Sequence, residues 1–273
     1  MASMVTSNLP PKAAKALTEL TADVHQRGQY TDFVTNRTFR QSLMCHKQVK
    51  IDRNISPARM SGGFYASNMQ LENLELHNNL DPEVEVGFVC ANGRRLRAKN
   101  PGLKAMMFVL YEAWPKSLTA EEIRQLVEIK LQELTPPIIP EQGVVASMVT
   151  SNLIQLTTHG DVEFRFVPDR FCDSVSDYPC ASPLARLQAK SAGMITTLRH
   201  GMLAMDAVSR LFVQAVDGTK DYDQLAEFVA ELIAAGKVKV SFQGSGRMDM
   251  NAIHKTTVDR LLDQLRRTAL LIS

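Results

Sequence analysis

The chain has 273 residues, 45% hydrophobic and 22% charged, a length that suits about two domains with real cores. Its 31 Lys and Arg stand against 29 Asp and Glu, and the resulting net charge of +2 is too even for the basic face of a nucleic-acid binder.

The opening, MASMVTSNLPPKAAKAL, lacks the basic start and long apolar core of a secretory signal. No run approaches the ~20 apolar residues of a bilayer span. The four cysteines, Cys45, Cys90, Cys172 and Cys180, are scattered without C-x-x-C pairs and read as reduced thiols. The expectations are a cytoplasmic location, no membrane span and no nucleic-acid partner. The string ASMVTSNL occurs at Ala2–Leu9 and again at Ala146–Leu153. Its flanks differ at once, so it marks no duplicated domain.

Residues 10–38 read as helical. Pro10 and Pro11 suit a helix start, Ala14, Leu17 and Leu20 keep the period, and Tyr30, Phe33 and Val34 continue it past Gly28. From Phe39 the alternation predicts a strand, with Phe39, Gln41, Leu43 and Cys45 on one face and Arg40, Ser42, Met44 and His46 on the other. EVGFVCANGRRLRAK predicts two strands joined by a two-residue turn at Asn92-Gly93.

After Pro101-Gly102 three helices follow. LKAMMFVLYEAW stops near Pro115, TAEEIRQLVEIKLQEL opens on Thr119 and Glu122 at capping-box spacing, and PEQGVVASMVTSNLIQLTTHG ends near Gly160. DVEFRFVPDRF then alternates as a strand. Three helices before a hairpin is the order of a winged helix, assigned to residues 101–172. A second, partial unit reads as a helix, a polar turn at Asp217-Gly218, a helix capped by Asp221 and ended by Gly236, and a strand. Val258, Leu261, Leu262, Leu265 and Ala269 stripe a terminal helix whose Arg260, Arg266 and Arg267 form a solvated edge. The fold class is therefore α+β, mostly helical: a small helix/β-hairpin N-terminal module followed by two winged-helix-like units. The segments are 1–38, 39–100, 101–172 and 173–273.

Few residues point to chemistry. Cys45 and His46 are neighbours, which point apart on a strand and do not face each other on a helix, so they form no catalytic dyad. Cys45 is expected in the core and His46 near the surface. No close Cys or His pairs suit zinc, and no G-x-S-x-G elbow marks a nucleophile. Gly244 and Gly246 follow a strand, but no second strand comes after them to complete a βαβ cradle, so they read as a flexible loop. From Leu131 through Phe164 there is no Lys or Arg, and the helix of the second unit carries Asp223, Glu227 and Glu231. Both surfaces would repel phosphates and read as packing or protein-contact units. Arg37 and Arg40 either share a helix face or flank a helix-to-strand joint. The fixed fork of arginine suits holding such a joint together, or gripping a partner's carboxylate.

QYTDFVTNRTFRQSLMCH (Gln29–His46), LYEAWPKSL (Leu110–Leu118), ASPLARLQA (Ala181–Ala189), TTLRH (Thr196–His200) and VDGTKDYDQL (Val216–Leu225) come in one order. Together they resemble the region beyond the helical regulatory domain of bacterial class I methyltransferases, including the rickettsial protein-lysine methyltransferases. Thr197 stands where that family favours Asn. The resemblance implies a Rossmann domain that binds S-adenosylmethionine (SAM), placed upstream of Met1 or on another polypeptide. It implies no cofactor in this chain and no catalytic, cofactor-binding or metal-ligating residue. It also implies homodimerisation in the full-length form. The expected function is a non-catalytic accessory and substrate-positioning part of a protein-lysine methyltransferase, working beside the SAM-binding domain in cis or in trans on a protein substrate. Arg37, Arg40, Arg199 and His200 are the candidate contacts with substrate, partner or neighbouring domain. The alternative is a freestanding winged-helix interaction protein or transcriptional regulator.

Overall fold

The computed structural model describes residues 9–39, 44–51, 55–134, 136–137, 141, 143–191, 193–236 and 250–273. The chain forms two compact units, the first from Met1–Ala113 and Ser117–Val167, the second from Trp114–Lys116 and Pro168–Ser273.

The first unit begins with α1 (Pro11–Leu20) and α2 (Val24–Val34). The helical pattern expected across 10–38 breaks between them. Thr21 is extended, and the Asp23 side chain accepts from the His25 N–H at 2.9 Å to start a new helix. Arg27 ties the break together, its Nη2 donating to the Thr21 carbonyl at 2.8 Å. The strand expected from Phe39 to Cys45 falls largely on residues 40–43, which lie outside the described residues. Phe39, Met44, Cys45 and His46 belong to no strand and are exposed. Cys45 is thus corrected from core to surface: residues 44–51 are exposed throughout.

Next come α3 (Pro57–Met60), β1 (Phe64–Ala66), β2 (Gln70–Leu71), β3 (Val86–Val89) and β4 (Arg95–Ala98). They are followed by α4 (Pro101–Ala113), β5 (Leu118–Thr119), α5 (Ala120–Gln132), α6 (Val144–His159) and β6 (Glu163–Arg165). α4 is the centre of the core: Lys104 through Leu110 are buried without interruption, as expected of a helix surrounded on all sides. Phe108 meets Phe88 of β3 edge-on, with ring centroids 5.3 Å apart. The Thr119–Glu122 capping box forms as its spacing predicts. The second copy of ASMVTSNL lies within α6, where Val149 and Leu153 are buried. The first lies outside the described residues except for Leu9.

β2, β3 and β4 form one antiparallel sheet. The β3–β4 connection is a three-residue loop, not the two-residue turn expected. Cys90 N–H donates to the Arg94 carbonyl and Gly93 N–H to the Cys90 carbonyl, both at 2.8 Å. Only Gly93 takes a positive φ, +82°, the geometry of a type I turn closed by a bulge.

The winged-helix order of α4, α5 and α6 is present, but β6 does not turn back into a hairpin. β6 pairs with β1, which precedes all three helices and also pairs with β5, giving the order β5-β1-β6. A Cβ on Gly63 would run into the Phe164 ring, so this approach of β1 to β6 needs glycine there.

In the second unit lie α7 (Pro183–Gln188), the hairpin β7 (Met194–Thr196) and β8 (Met202–Ala204), then α8 (Ala207–Ala215), α9 (Tyr222–Ala234) and α10 (Met250–Arg267). Asp221 caps α9 in a reciprocal box with Gln224. Val258, Leu261, Leu262, Leu265 and Ala269 are all buried, as their stripe predicts. The strand expected after Gly236 and the Gly244–Gly246 loop lie outside the described residues. The last residues run beside 180–182, with Ser182 N–H donating to the Leu270 carbonyl and Ile272 N–H to the Cys180 carbonyl, each at 2.8 Å.

Candidate functional site

Within the second unit, TTLRH forms the tip of the β7–β8 hairpin. Thr197 N–H donates to the Gly201 carbonyl and His200 N–H to the Thr197 carbonyl, both at 2.9 Å. His200 is exposed in the left-handed region, with φ +62°. Arg199 turns the other way and is 8% exposed. Its Nη1 donates to the Pro115 carbonyl at 2.7 Å and to Asp169 Oδ1 at 3.1 Å. The guanidinium lies 4.7 Å from the centre of the Trp114 ring and 5.7 Å from that of Phe171. The guanidinium is thus held by a carbonyl, a carboxylate and two ring faces, so Arg199 fastens Trp114–Lys116 and residues 169–171 to the hairpin.

Arg37 lies just beyond α2, its side chain 59% exposed and 4.0 Å from Asp32. Arg40 lies outside the described residues. Arg199 and His200 are neighbours on one hairpin of the second unit with opposite exposures, and Arg37 belongs to the first unit.

In the first unit, two polar nodes escaped the sequence reading. Asp161 is buried at the head of β6 and accepts from Arg94 Nη1 at 2.7 Å and Asn92 Nδ2 at 3.0 Å. Its backbone carbonyl accepts from Ser67 Oγ at 2.7 Å. The nearby Cys90 thiol is pushed up to about 11, first by burial and then by the Asp161 carboxylate, which disfavours its thiolate. Lys104, fully buried in α4, donates to the Asp81 and Val84 carbonyls at 2.5 and 2.9 Å. Burial holds its ammonium below the usual lysine range, against the pull of Asp81. A lysine at the head of the apolar run Ala105–Leu110 was the signal available for it.

An open groove of about 370 Å³ lies between the C-terminal halves of α4 and α5. Val109, Leu118, Leu126 and Ile129 form its walls, and Glu112, Lys130 and Glu133 its rim. Lys130 Nζ donates to Asn78 Oδ1 at 2.8 Å and to Glu112 at 3.0 Å, and His77 Nε2 lies 3.1 Å from Glu112. Among the described residues, no three His, Cys, Asp or Glu side chains gather as a metal site requires. No described helix is long and apolar enough to cross a membrane.

The class of molecule follows from comparison with known sequences. Residues 177–270 match the model of the PKMT C-terminal winged helix domain, and residues 1–46 match that of the predicted methyltransferase regulatory domain. The two ends of the chain are thus similar to a predicted methyltransferase regulatory domain and to a PKMT C-terminal winged helix domain. Its relatives include the uncharacterized protein RP789 of Rickettsia prowazekii (strain Madrid E), 23% identical over 260 residues that make up 93% of this chain and 46% of RP789. RP027 of the same organism is 21% identical over 74% of this chain and 82% of its own length. PKMT2 from Rickettsia typhi has a similar fold, with a TM-score of 0.81 at 22% identity, and a second structure of it holds AdoHcy. That similarity covers 100% of this chain and 54% of PKMT2. The chain thus spans about half the length of RP789 and PKMT2.

Proposed function

We propose that this chain is the accessory, substrate-positioning part of a protein-lysine methyltransferase, non-catalytic by itself and working beside a SAM-binding domain in cis or in trans. The observation that carries this reading is the pairing of a regulatory-domain match at one end with a PKMT winged-helix match at the other, on a fold similar throughout to about half of PKMT2. The contribution to catalysis would be orientation: holding an acceptor protein's lysine before a methyl donor that another domain supplies. Arg37, Arg40 and His200 would make the contacts with the neighbouring domain or the acceptor. Arg199, turned inward, would act through His200 as a positioning residue.

The test adds the purified chain to a SAM-binding domain taken from a longer relative, with a protein acceptor and labelled methyl donor. Acceptor methylation should rise on addition of the chain and fall with His200→Ala. No change on addition, or methylation by the chain alone, would overturn the reading.

A further inference from the structure

We infer that the groove between α4 and α5 docks a basic amphipathic helix of a partner protein. The inference goes beyond the reading above and does not need it, since it stands on the first unit alone.

Four residues of α5 and its C-cap, Leu126, Ile129, Lys130 and Glu133, are spaced i, i+3, i+4, i+7 and line one face. Leu126 is 40% exposed and Ile129 50%, so this face carries large apolar side chains that the chain itself leaves half bare. A ridge at this spacing, facing Val109 across a groove, is the seat on which another helix packs. With its α5 side so exposed, the groove would bury too little of a small molecule to hold it.

The charge of the occupant follows from the rim. Glu112 of α4 and Lys130 of α5 meet at 3.0 Å, so the C-terminal ends of both helices converge there. Each such end carries carbonyls unused within its helix and a partial negative charge. Lys130 is drawn to Glu112 and Asn78. Glu133, the exposed C-cap residue of α5, meets no cationic side chain among the described residues. An acidic residue at a helix C-terminus is electrostatically misplaced unless an outside cation answers it. The complement is a helix that lays Leu- or Ile-type side chains on Leu126 and Ile129 and carries Lys or Arg about one turn further on.

The test uses the full chain and two fluorescein-labelled helical peptides of roughly 18 residues (about five turns). One has a Leu face flanked by Lys, and its twin carries Glu at every Lys position. The basic peptide should give saturable anisotropy and the acidic twin none. Glu133→Lys and Ile129→Asp, both at exposed positions, should each weaken binding roughly tenfold. Glu227→Lys on α9 in the second unit should leave it unchanged. Equal binding of both peptides, or indifference to Glu133→Lys and Ile129→Asp, would overturn the inference. So would a dimer, seen by sedimentation, that Ile129→Asp dissolves, since it would assign the groove to a second copy of the chain.

Discussion

His200 occupies in the β7–β8 loop the place that Gly93 occupies in the β3–β4 loop. Each is the third residue of a three-residue connection, its N–H donating to the carbonyl three residues back, at φ +62° and +82° respectively. Glycine adopts that region freely, whereas a side chain there costs about 1 kcal/mol or more. His200→Gly should therefore raise stability by about 1 kcal/mol, a rise in Tm of about 4 °C. His200→Val should lower it by a similar amount. Thermal unfolding followed by circular dichroism decides, and no gain with glycine would mean the histidine is not strained.

Arg199 supports a second prediction. Lysine would keep the charge but lose the planar fork that reaches Pro115 and Asp169 and the stacking on Trp114. Arg199→Lys should cost about 1–2 kcal/mol. Trp114 is the chain's single tryptophan, so its emission should move to longer wavelength as the joint loosens. An unchanged spectrum with unchanged stability would remove the fastening role.

The Asp161 node makes a third. Asparagine preserves the shape but leaves the Arg94 guanidinium without its charged acceptor. Asp161→Asn should cost about 1–3 kcal/mol in urea unfolding. Iodoacetamide at neutral pH should label exposed Cys45 within the native state, while Cys90, buried and with its thiol pushed up to about 11, should react only on unfolding. In Asp161→Asn the labelling of Cys90 should quicken.

A fourth concerns acid. The Arg124 side chain, by hydrogen bonding first, together with Gln125, lowers the Glu121 carboxyl from 4.5 to about 2. A carboxyl depressed on folding contributes stability that is complete above its unfolded value and is lost as pH falls from about 4.5 toward about 2. Carboxyl NMR should show Glu121 titrating near the lower value in the native protein. In Arg124→Gln it should return toward the upper one. Glu121 is exposed, so added salt should shrink the difference.

Much of the helical architecture was legible because its signals are local. The Thr119–Glu122 box, Pro11 at a first turn and the apolar stripe of α10 each depend on residues within about three turns of one another. The break between α1 and α2 was missed because the period of Leu17, Leu20, Phe33 and Val34 runs on across it, and only the Asp23 cap betrays the interruption. Asn92-Gly93 gave the hairpin but not its loop length, since one positive φ serves a bulged three-residue turn as well as two serve a tighter one. The roles of Arg199 and Asp161 were illegible for another reason: their partners Pro115 and Arg94 lie 84 and 67 residues away in the chain. Of the candidate contacts, the arginine spacing marked Arg37, but no pattern in the sequence separated the inward Arg199 from the outward His200.

The middle place of β1 between β5 and β6 has a consequence for how the chain folds. Ser67, just beyond β1, donates to Asp161, 94 residues later, so the central strand must wait for most of its unit to be made before its second neighbour exists. Closure of that long loop predicts the sheet as a late step in folding, after helices α4 to α6 assemble from shorter-range contacts. A fragment cut at residue 101 would retain those three helices yet expose two unpaired strand edges, and aggregation would be its characteristic fault.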